Sequence, residues 1–162
     1  MHLFGSGPLM NEALRAQEIL REKFSVAADV WSVTSYTELY RDALSCSRWN
    51  KLHPDQKARL PHVARVLKDE PWPIVAVTDY VKTVPSRVAP WTPAGLYALG
   101  TDGFGRSDTR EALRRFFEID AENVAYAALW ELSKRSQFDR KKLPAAMQEL
   151  GIDPEAPDPA FA

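Results

Sequence analysis

Apolar and polar residues occur along the chain in blocks that fit strands followed by helices. Short apolar runs with strand character lie at residues 2–4, 30–34, 74–77 and 96–99. The run Ile74–Val77 is apolar throughout, which is typical of a strand buried on both faces of a sheet. A fifth and weaker strand is predicted at residues 87–89. The alternation of strands and helices predicts a three-layer α/β domain with a mostly parallel sheet.

Helical spacing of apolar residues begins after the first strand and continues from about Pro8 to Lys23. The predicted inner face of this helix consists of Met10, Ala13, Leu14, Leu20 and Phe24. Later helices are predicted at residues 38–49, 63–67, 109–118 and 121–136, with a last one that starts near Asp139 and stops at Gly151. Asp108 stands three residues before Glu111, a capping-box pattern, and Asp120 is placed to cap the helix that follows it.

Length and composition narrow the class of protein. The 162 residues fit one domain, predicted over residues 1–152 and followed by a proline-containing tail at 153–162. The single cysteine, Cys46, excludes an internal disulfide, and the net charge of −1 gives no electrostatic case for nucleic acid or an anionic membrane. The first strand starts almost at the first residue, so we expect the chain to be a fragment of a longer protein.

A glycine-rich loop, Leu99–Asp108, joins the fourth strand to a helix at the edge of the sheet where α/β proteins place functional loops. Asp102, Arg106 and Asp108 can form a local ion-pair and capping network that organises this loop. The same residues could instead border an active site or face a partner subunit. Because no second titratable group with an acid–base role accompanies them, structure or interface is favoured over catalysis.

The other residue groups that could carry chemistry do not match the pattern of a known type of active site. Gly5-Ser6-Gly7 follows a strand, but Met10 stands where a dinucleotide fingerprint has its third glycine, which favours a tight turn. The three histidines lack metal-ligand spacing, and no nucleophile elbow is present. His53 lies in a polar and aromatic segment, residues 48–54, where it could contact a ligand or partner, although a surface or turn-capping role is favoured.

The five tryptophans divide into two groups. Trp31 and Trp130 lie on periodic segments and are predicted to be in the core. The other three, Trp49, Trp72 and Trp91, lie near prolines in segments without clear periodicity, where a large aromatic side chain often anchors an interface. We therefore expect an exposed apolar patch or self-association if one of them serves a partner.

Several short motifs, in this order and spacing, give the chain a family resemblance that runs nearly from end to end. They are His2–Gly7, Asp29–Ser35, Thr37–Leu39, Arg48–Asn50, Leu52–Pro54, Thr78–Tyr80, Leu99–Asp108, Phe117–Asp120, Ala127–Leu129 and Glu131-Leu132. On these residues the chain resembles the C-terminal domain of the homodimeric pyruvate dehydrogenase component, the thiamine-diphosphate-dependent decarboxylase of the pyruvate dehydrogenase complex. The resemblance implies a transketolase C-terminal-like fold, with a mixed sheet of about five strands flanked by helices.

The resemblance also implies an activity for the parent enzyme. Pyruvate is decarboxylated on thiamine diphosphate with magnesium, and the acetyl group passes to a lipoyl group of dihydrolipoyl acetyltransferase. The family's cofactor motifs lie in its two preceding domains and have no counterpart in these residues. No catalytic, cofactor-binding or metal-binding residue is therefore assigned, and the chain alone is expected to be inactive and to bind no cofactor.

Two functional hypotheses follow. In the first, the domain supports the dimer and the active-site architecture of a cytoplasmic pyruvate dehydrogenase, with the missing N-terminal and middle domains and a second subunit as partners. In the second, it is a separately used binding or assembly module for a complex partner or a small ligand. The residues proposed for an interface or for loop organisation are Asp102, Arg106, Asp108, Trp49 and His53.

Overall fold

A four-stranded parallel sheet forms the centre of the computed structural model, which describes residues 1–162. The strands are β1 (His2–Gly5), β2 (Asp29–Ser32), β3 (Ile74–Val77) and β4 (Leu96–Leu99). Their order across the sheet is β2-β1-β3-β4. His2 is in register with both Asp29 and Ile74, and Ile74 is in register with Leu96, so the four strands start and end nearly level.

Seven α-helices connect and cover the strands. They are α1 (Met10–Phe24), α2 (Tyr36–Leu52), α3 (His62–Val66), α4 (Thr83–Ser86), α5 (Arg110–Phe116), α6 (Ala121–Ser133) and α7 (Leu143–Glu149). Short 3₁₀ turns precede α1 and α7, and another follows α4. None of the helices combines the length and the hydrophobicity that crossing a bilayer requires.

The two faces of the sheet carry helical layers of unequal size. Successive side chains on a strand point to opposite faces, so Leu3 and Val75 lie on one face while Phe4 and Ile74 lie on the other. We call the first the thick face, because α1, α6 and α7 bury a cluster of 21 residues against it. We call the second the thin face, because α2, α3 and the segment around α4 bury a cluster of seven.

A buried carboxylate joins three elements of the thick face. Glu12 on α1 is 4% exposed, and one of its oxygens accepts a hydrogen bond of 2.7 Å from Arg114 on α5. The other oxygen accepts from Arg15 at 3.1 Å and from the backbone N–H of Ala121, the first residue of α6, at 3.0 Å. The buried charge is thereby paired, and the start of α6 gains an acceptor for one of its free N–H groups.

Of the two predicted helix caps, the one at Asp120 is confirmed and the one at Asp108 is wrong. Asp120 caps α6 as predicted, and its side chain accepts from the backbone N–H of Asn123 at 2.9 Å. The predicted cap at Asp108 is wrong by one residue, because Thr109 accepts from the N–H of Ala112 and caps α5. The side chain of Asp108 instead accepts from the N–H of Thr109 at 2.7 Å.

The expected fifth strand at residues 87–89 is wrong, and the sheet is parallel throughout rather than mixed. This part of the chain forms α4 and a 3₁₀ turn, Ala89–Trp91. Pro85 and Pro90 lack an N–H to donate to a neighbouring strand, whereas proline fits the first turn of a helix. Val88, between the two turns, is fully buried on the thin face.

Three predictions about burial are corrected. Leu14, placed on the inner face of α1, is exposed, and Ala16 is buried there instead. Trp31 and Trp130, predicted in the core, lie at its margin and are only partly buried.

The tail at residues 153–162 forms turns, and its Pro159 is buried. The domain boundary predicted at residue 152 stays a prediction.

Candidate interface at the carboxyl edge of the sheet

The carboxyl ends of the strands bring two loops together at one edge of the sheet. Thr101, after β4, donates from its backbone N–H to the carbonyl of Tyr80, after β3, at 3.0 Å. The Thr101 hydroxyl donates to the carbonyl of Asp79 at 2.8 Å. The Asp102 carboxylate accepts from the backbone N–H of Lys82 at 3.0 Å. Hydrogen bonds between backbone groups, and between side chains and backbone groups, therefore join the two loops.

Two glycines allow the backbone segments of this edge to approach closely. A Cβ atom on Gly100 would collide with the carbonyl oxygen of Tyr80 and would lie 2.9 Å from the backbone nitrogen of Lys82. Gly103 has a φ of +101°, and a Cβ there would collide with the carbonyl of Pro159 in the tail. The glycine-rich loop is thus packed between the loop after β3 and the C-terminal tail.

The three charged residues predicted to organise the loop do not contact one another, so the predicted ion-pair network is wrong. Asp102 faces Lys82, with 3.9 Å between its second oxygen and the ammonium group. Arg106 lies over the ring of Phe116 on α5, 4.1 Å from the ring centroid. Asp108 bonds only the neighbouring N–H of Thr109. Asp102 therefore acts on the loop after β3 and Arg106 on α5, whereas Asp108 acts on the residue that follows it.

Large apolar side chains project from this edge into solvent. Phe104, in the glycine-rich loop, is 84% exposed, and Phe161, in the tail, is 91% exposed. Tyr80 and Val81, after β3, are 66% and 47% exposed. The contacts at Gly100 and Gly103 join these three segments, and we call the four exposed side chains together the carboxyl-edge surface. Exposed apolar groups on a fixed backbone frame are typical of a protein interface.

Trp49 and His53, the other two predicted interface residues, lie together at the C-terminal end of α2 and not at the carboxyl edge. Their rings stack with centroids 4.5 Å apart, and His53 Nδ1 lies 2.9 Å from the carbonyl of Trp49. The guanidinium of Arg59 lies 3.9 Å from the centroid of the Trp49 ring. Trp72 is exposed, and the partly buried Trp91 donates to the hydroxyl of Ser47 at 3.1 Å.

A histidine with two carboxylates lies at the opposite, amino edge of the sheet. His2 is fully buried, its Nε2 lies 3.6 Å from Glu70, and its Nδ1 lies 3.9 Å from Asp29. The indole of Trp31 donates to Nδ1 at 3.1 Å, which fixes the proton of the neutral ring on Nε2. A metal bound at either nitrogen would disturb this arrangement, so the three groups are better described as a polar cluster.

Burial lowers the pKa of His2 below its usual value of 6.5, and the charge of the amino terminus lowers it further. Glu70 and Asp29 act in the opposite direction without cancelling the effect of burial. The ring is thus held in its neutral form, which the hydrogen bond from Trp31 also requires. The group has no access to solvent for acid–base chemistry.

Comparison with known proteins agrees with this geometry. A family model described as the transketolase-like C-terminal domain matches residues 1–120, which include the whole sheet and α5. The chain belongs to this family. The match confirms the resemblance found in the sequence, and the parallel sheet between two helical layers is the fold of this domain.

Curated relatives of this transketolase-like C-terminal domain are similar to the chain from end to end. The pyruvate dehydrogenase E1 component of Escherichia coli K12 is 47% identical over 163 residues, covering 100% of this chain and 18% of the relative. The corresponding E1 component of Pseudomonas aeruginosa is 44% identical over 98% of the chain and 18% of the relative. The E1 component of Mycobacterium tuberculosis is 43% identical over 97% of the chain and 17% of the relative. The chain spans less than a fifth of the length of these relatives.

Several residues of the carboxyl-edge surface are not indicated as interface residues by the local sequence pattern. Tyr80 and Val81 lie three and four residues after the end of β3, so the strand predicted at residues 74–77 already indicates that they lie at this edge. Phe161 lies in a proline-containing tail whose sequence gives no indication of its docking against Gly103. That contact joins residues more than fifty positions apart, and no local pattern encodes it.

Proposed function

We propose that this chain serves as the C-terminal domain of a pyruvate dehydrogenase E1 component and provides a docking edge for the rest of that enzyme. Identity of 47% along the whole chain supports this assignment. In the proposal, the parent decarboxylates pyruvate on thiamine diphosphate with magnesium and transfers the acetyl unit to a lipoyl group of dihydrolipoyl acetyltransferase. The parent works as a cytoplasmic homodimer.

The carboxyl-edge surface is the observation that carries the docking role. Four exposed apolar side chains project from segments that are joined by hydrogen bonds and by close backbone contacts at two glycines. A frame of this kind presents apolar groups in one arrangement, so little conformational entropy is lost when a partner binds. We assign the missing N-terminal and middle domains, or the second subunit, as the occupants of this surface.

Asp102, Arg106 and Asp108 act in this proposal as residues that hold the edge in shape. Asp102 fixes the loop after β3 through Lys82, and Arg106 links the glycine-rich loop to α5 through Phe116. Asp108 orders the backbone immediately before α5. Trp49 and His53 belong to a second surface, at the C-terminal end of α2.

The residues of the edge do not fit a magnesium and diphosphate site. Both oxygens of Asp102 already face Lys82, and Asp108 accepts from the N–H of Thr109, which leaves Asp79 as the free carboxylate of the two joined loops. Magnesium sites in proteins use carboxylates together with phosphate and water oxygens, and a single free carboxylate gives weak anchorage. We therefore assign no chemical step to this chain and place the cofactor on other parts of the parent enzyme.

Reconstitution with a truncated relative tests the proposal. The E. coli E1 component lacking its matched C-terminal region is mixed with the purified chain, and association is followed by analytical ultracentrifugation. We expect a complex that Phe104→Asp weakens about tenfold, because a charge would then be buried at the interface. Leu14→Asp, also exposed but on α1, is the matched control and should bind normally.

Cofactor titration separates the domain hypothesis from that of an independent enzyme or ligand-binding module. Thiamine diphosphate and magnesium are added to the chain alone, and heat of binding and pyruvate turnover are measured. We expect neither saturable binding nor turnover. Saturable binding accompanied by turnover would overturn the proposal, as would failure of the chain to associate with the truncated relative.

A further inference from the structure

The C-terminal end of α2, the following loop and α3 form a lobe whose charge differs from that of the remaining chain. Over residues 48–66 there are five lysines or arginines and one acidic residue, Asp55, which gives a net charge of +4. The whole chain has a net charge of −1, so the remainder is acidic by five charges. We call the exposed part of residues 48–66 the basic lobe; its cations are Arg48, Lys51, Lys57, Arg59 and Arg65.

The cations of the basic lobe are exposed and have no acidic partners. No carboxylate oxygen lies within 4.0 Å of any of the five, whereas arginines on the thick face are paired with Glu12, Asp120 and Glu131. Arg65 approaches only the ring of His62, at 3.3 Å. Like charges concentrated without counter-charges raise the local potential and attract an anionic partner.

The loop of the basic lobe is held against α2, so the charges have a defined arrangement. The side chain of Asn50 makes two hydrogen bonds to the backbone of Arg59, accepting from its N–H at 2.7 Å and donating to its carbonyl at 3.0 Å. The carboxylate of Asp42 accepts from the N–H of His62 at 2.6 Å. The guanidinium of Arg59 is placed over the ring of Trp49.

Aliphatic side chains lie among these cations and are also exposed. Leu52 at the end of α2, Leu60 in the loop and Val66 on α3 are each at least 40% exposed. Leu52 is next to Lys51 and one helical turn from Arg48, so the end of α2 presents charge and apolar surface on one side. A complementary partner therefore carries both carboxylates and apolar groups.

We propose that the basic lobe is a docking site for an acidic polypeptide segment that also carries aliphatic side chains. A polypeptide matches the mixture better than a nucleic acid does, because bases stack on open aromatic rings. The ring of Trp49 already has His53 stacked on it and Arg59 above it. This proposal stands independently of the pyruvate dehydrogenase assignment, since it rests on charges and exposure alone.

Charge reversal with a matched control tests the site. The probe is a short, fluorescein-labelled peptide of glutamate and leucine in equal proportion, titrated with the chain by anisotropy at physiological ionic strength. Lys51→Glu with Lys57→Glu is expected to weaken binding about tenfold, because two favourable charge contacts become repulsive. Lys141→Glu with Lys142→Glu changes the net charge equally at another exposed site and should leave binding unchanged.

The apolar part of the proposal has its own test. A peptide in which serine replaces leucine keeps the charge, and it is expected to bind several-fold more weakly. Thermal unfolding monitored by circular dichroism verifies that each variant is folded. Equal losses in the two charge-reversal variants would overturn the proposal, as would tighter binding of duplex DNA or of phosphatidylglycerol vesicles than of the glutamate–leucine peptide.

Discussion

The thick and thin faces of the sheet differ in the size of their buried cores and in how fully their polar side chains are paired. On the thick face, α1 and α6 pack over a large core, and the buried carboxylate of Glu12 has partners for both oxygens. On the thin face, seven buried residues form the core, and the buried hydroxyl of Tyr36 has no partner. The basic lobe with its unpaired cations also lies on this side.

The contrast indicates a division between stability and recognition. Buried apolar area and paired charges stabilise the thick face, while the thin face leaves charges and leucines available for other molecules. Four predictions examine this division, from the largest expected effect to the smallest.

Core truncation should destabilise the thick face more than the thin face. Leu129 on α6 and Leu67 after α3 are both fully buried. We expect Leu129→Ala to lower the free energy of unfolding by about 4 kcal/mol and Leu67→Ala by about 2 kcal/mol, because fewer layers surround Leu67 and the thin face can collapse around the cavity. Urea unfolding measures both values. Equal losses would contradict the distinction between the faces.

Glu12→Gln removes the buried charge that Arg114 and Arg15 share. We expect a loss of about 3 kcal/mol, because Arg114 is left without its counter-charge and the start of α6 has a poorer acceptor. Glu122→Gln, which removes a partner of the exposed Arg15 head group, is the control and should cost under about 1 kcal/mol. Similar unfolding midpoints for the two variants would show that the Glu12 pairing contributes little.

Tyr36→Phe should raise the stability of the thin face. Burial raises the pKa of the Tyr36 hydroxyl, and no hydrogen-bond partner compensates for its loss of water. Removing the hydroxyl is therefore expected to stabilise the chain by about 1 kcal/mol. A lower unfolding temperature in differential scanning calorimetry would mean that the hydroxyl has a stabilising contact.

His2 should make stability depend on pH. Its pKa is lowered in the folded chain, so below its unfolded value of 6.5 the unfolded state binds more protons. The free energy of unfolding should then fall as the pH decreases through this value, and the loss is complete below the folded pKa. We expect His2→Gln to reduce this slope in urea titrations, whereas the exposed His62→Gln should retain it.

The sequence predicts the elements best where local pattern and tertiary environment agree. The apolar run at β3 and the cap at Asp120 are both confirmed, since burial on two faces and a free helix start are encoded within a few residues. The strand expected at residues 87–89 is wrong because β-branched Val88 suited a strand, while the flanking prolines and the packing of the thin face favour turns.

The candidate surfaces were predicted less completely than the fold. Asp102, Arg106 and Asp108 are predicted from their place in a glycine-rich loop, but Asp102 and Arg106 contact Lys82 and Phe116 on other segments, and Asp108 contacts only the adjacent Thr109. Phe161 joins the carboxyl edge only through the docking of the tail. The basic lobe has a clear local charge signal, yet its lack of counter-charges depends on where distant carboxylates fold.

The position of β1 in the middle of the sheet has a consequence for biosynthesis. This strand is translated before both of its neighbours in the sheet; β3 is completed only at Val77, and α6 over the thick face only at Ser133. Most of the chain must therefore leave the ribosome before Leu3 and Phe4 are shielded from water. Such late closure makes the nascent chain a natural client of chaperones that bind apolar segments.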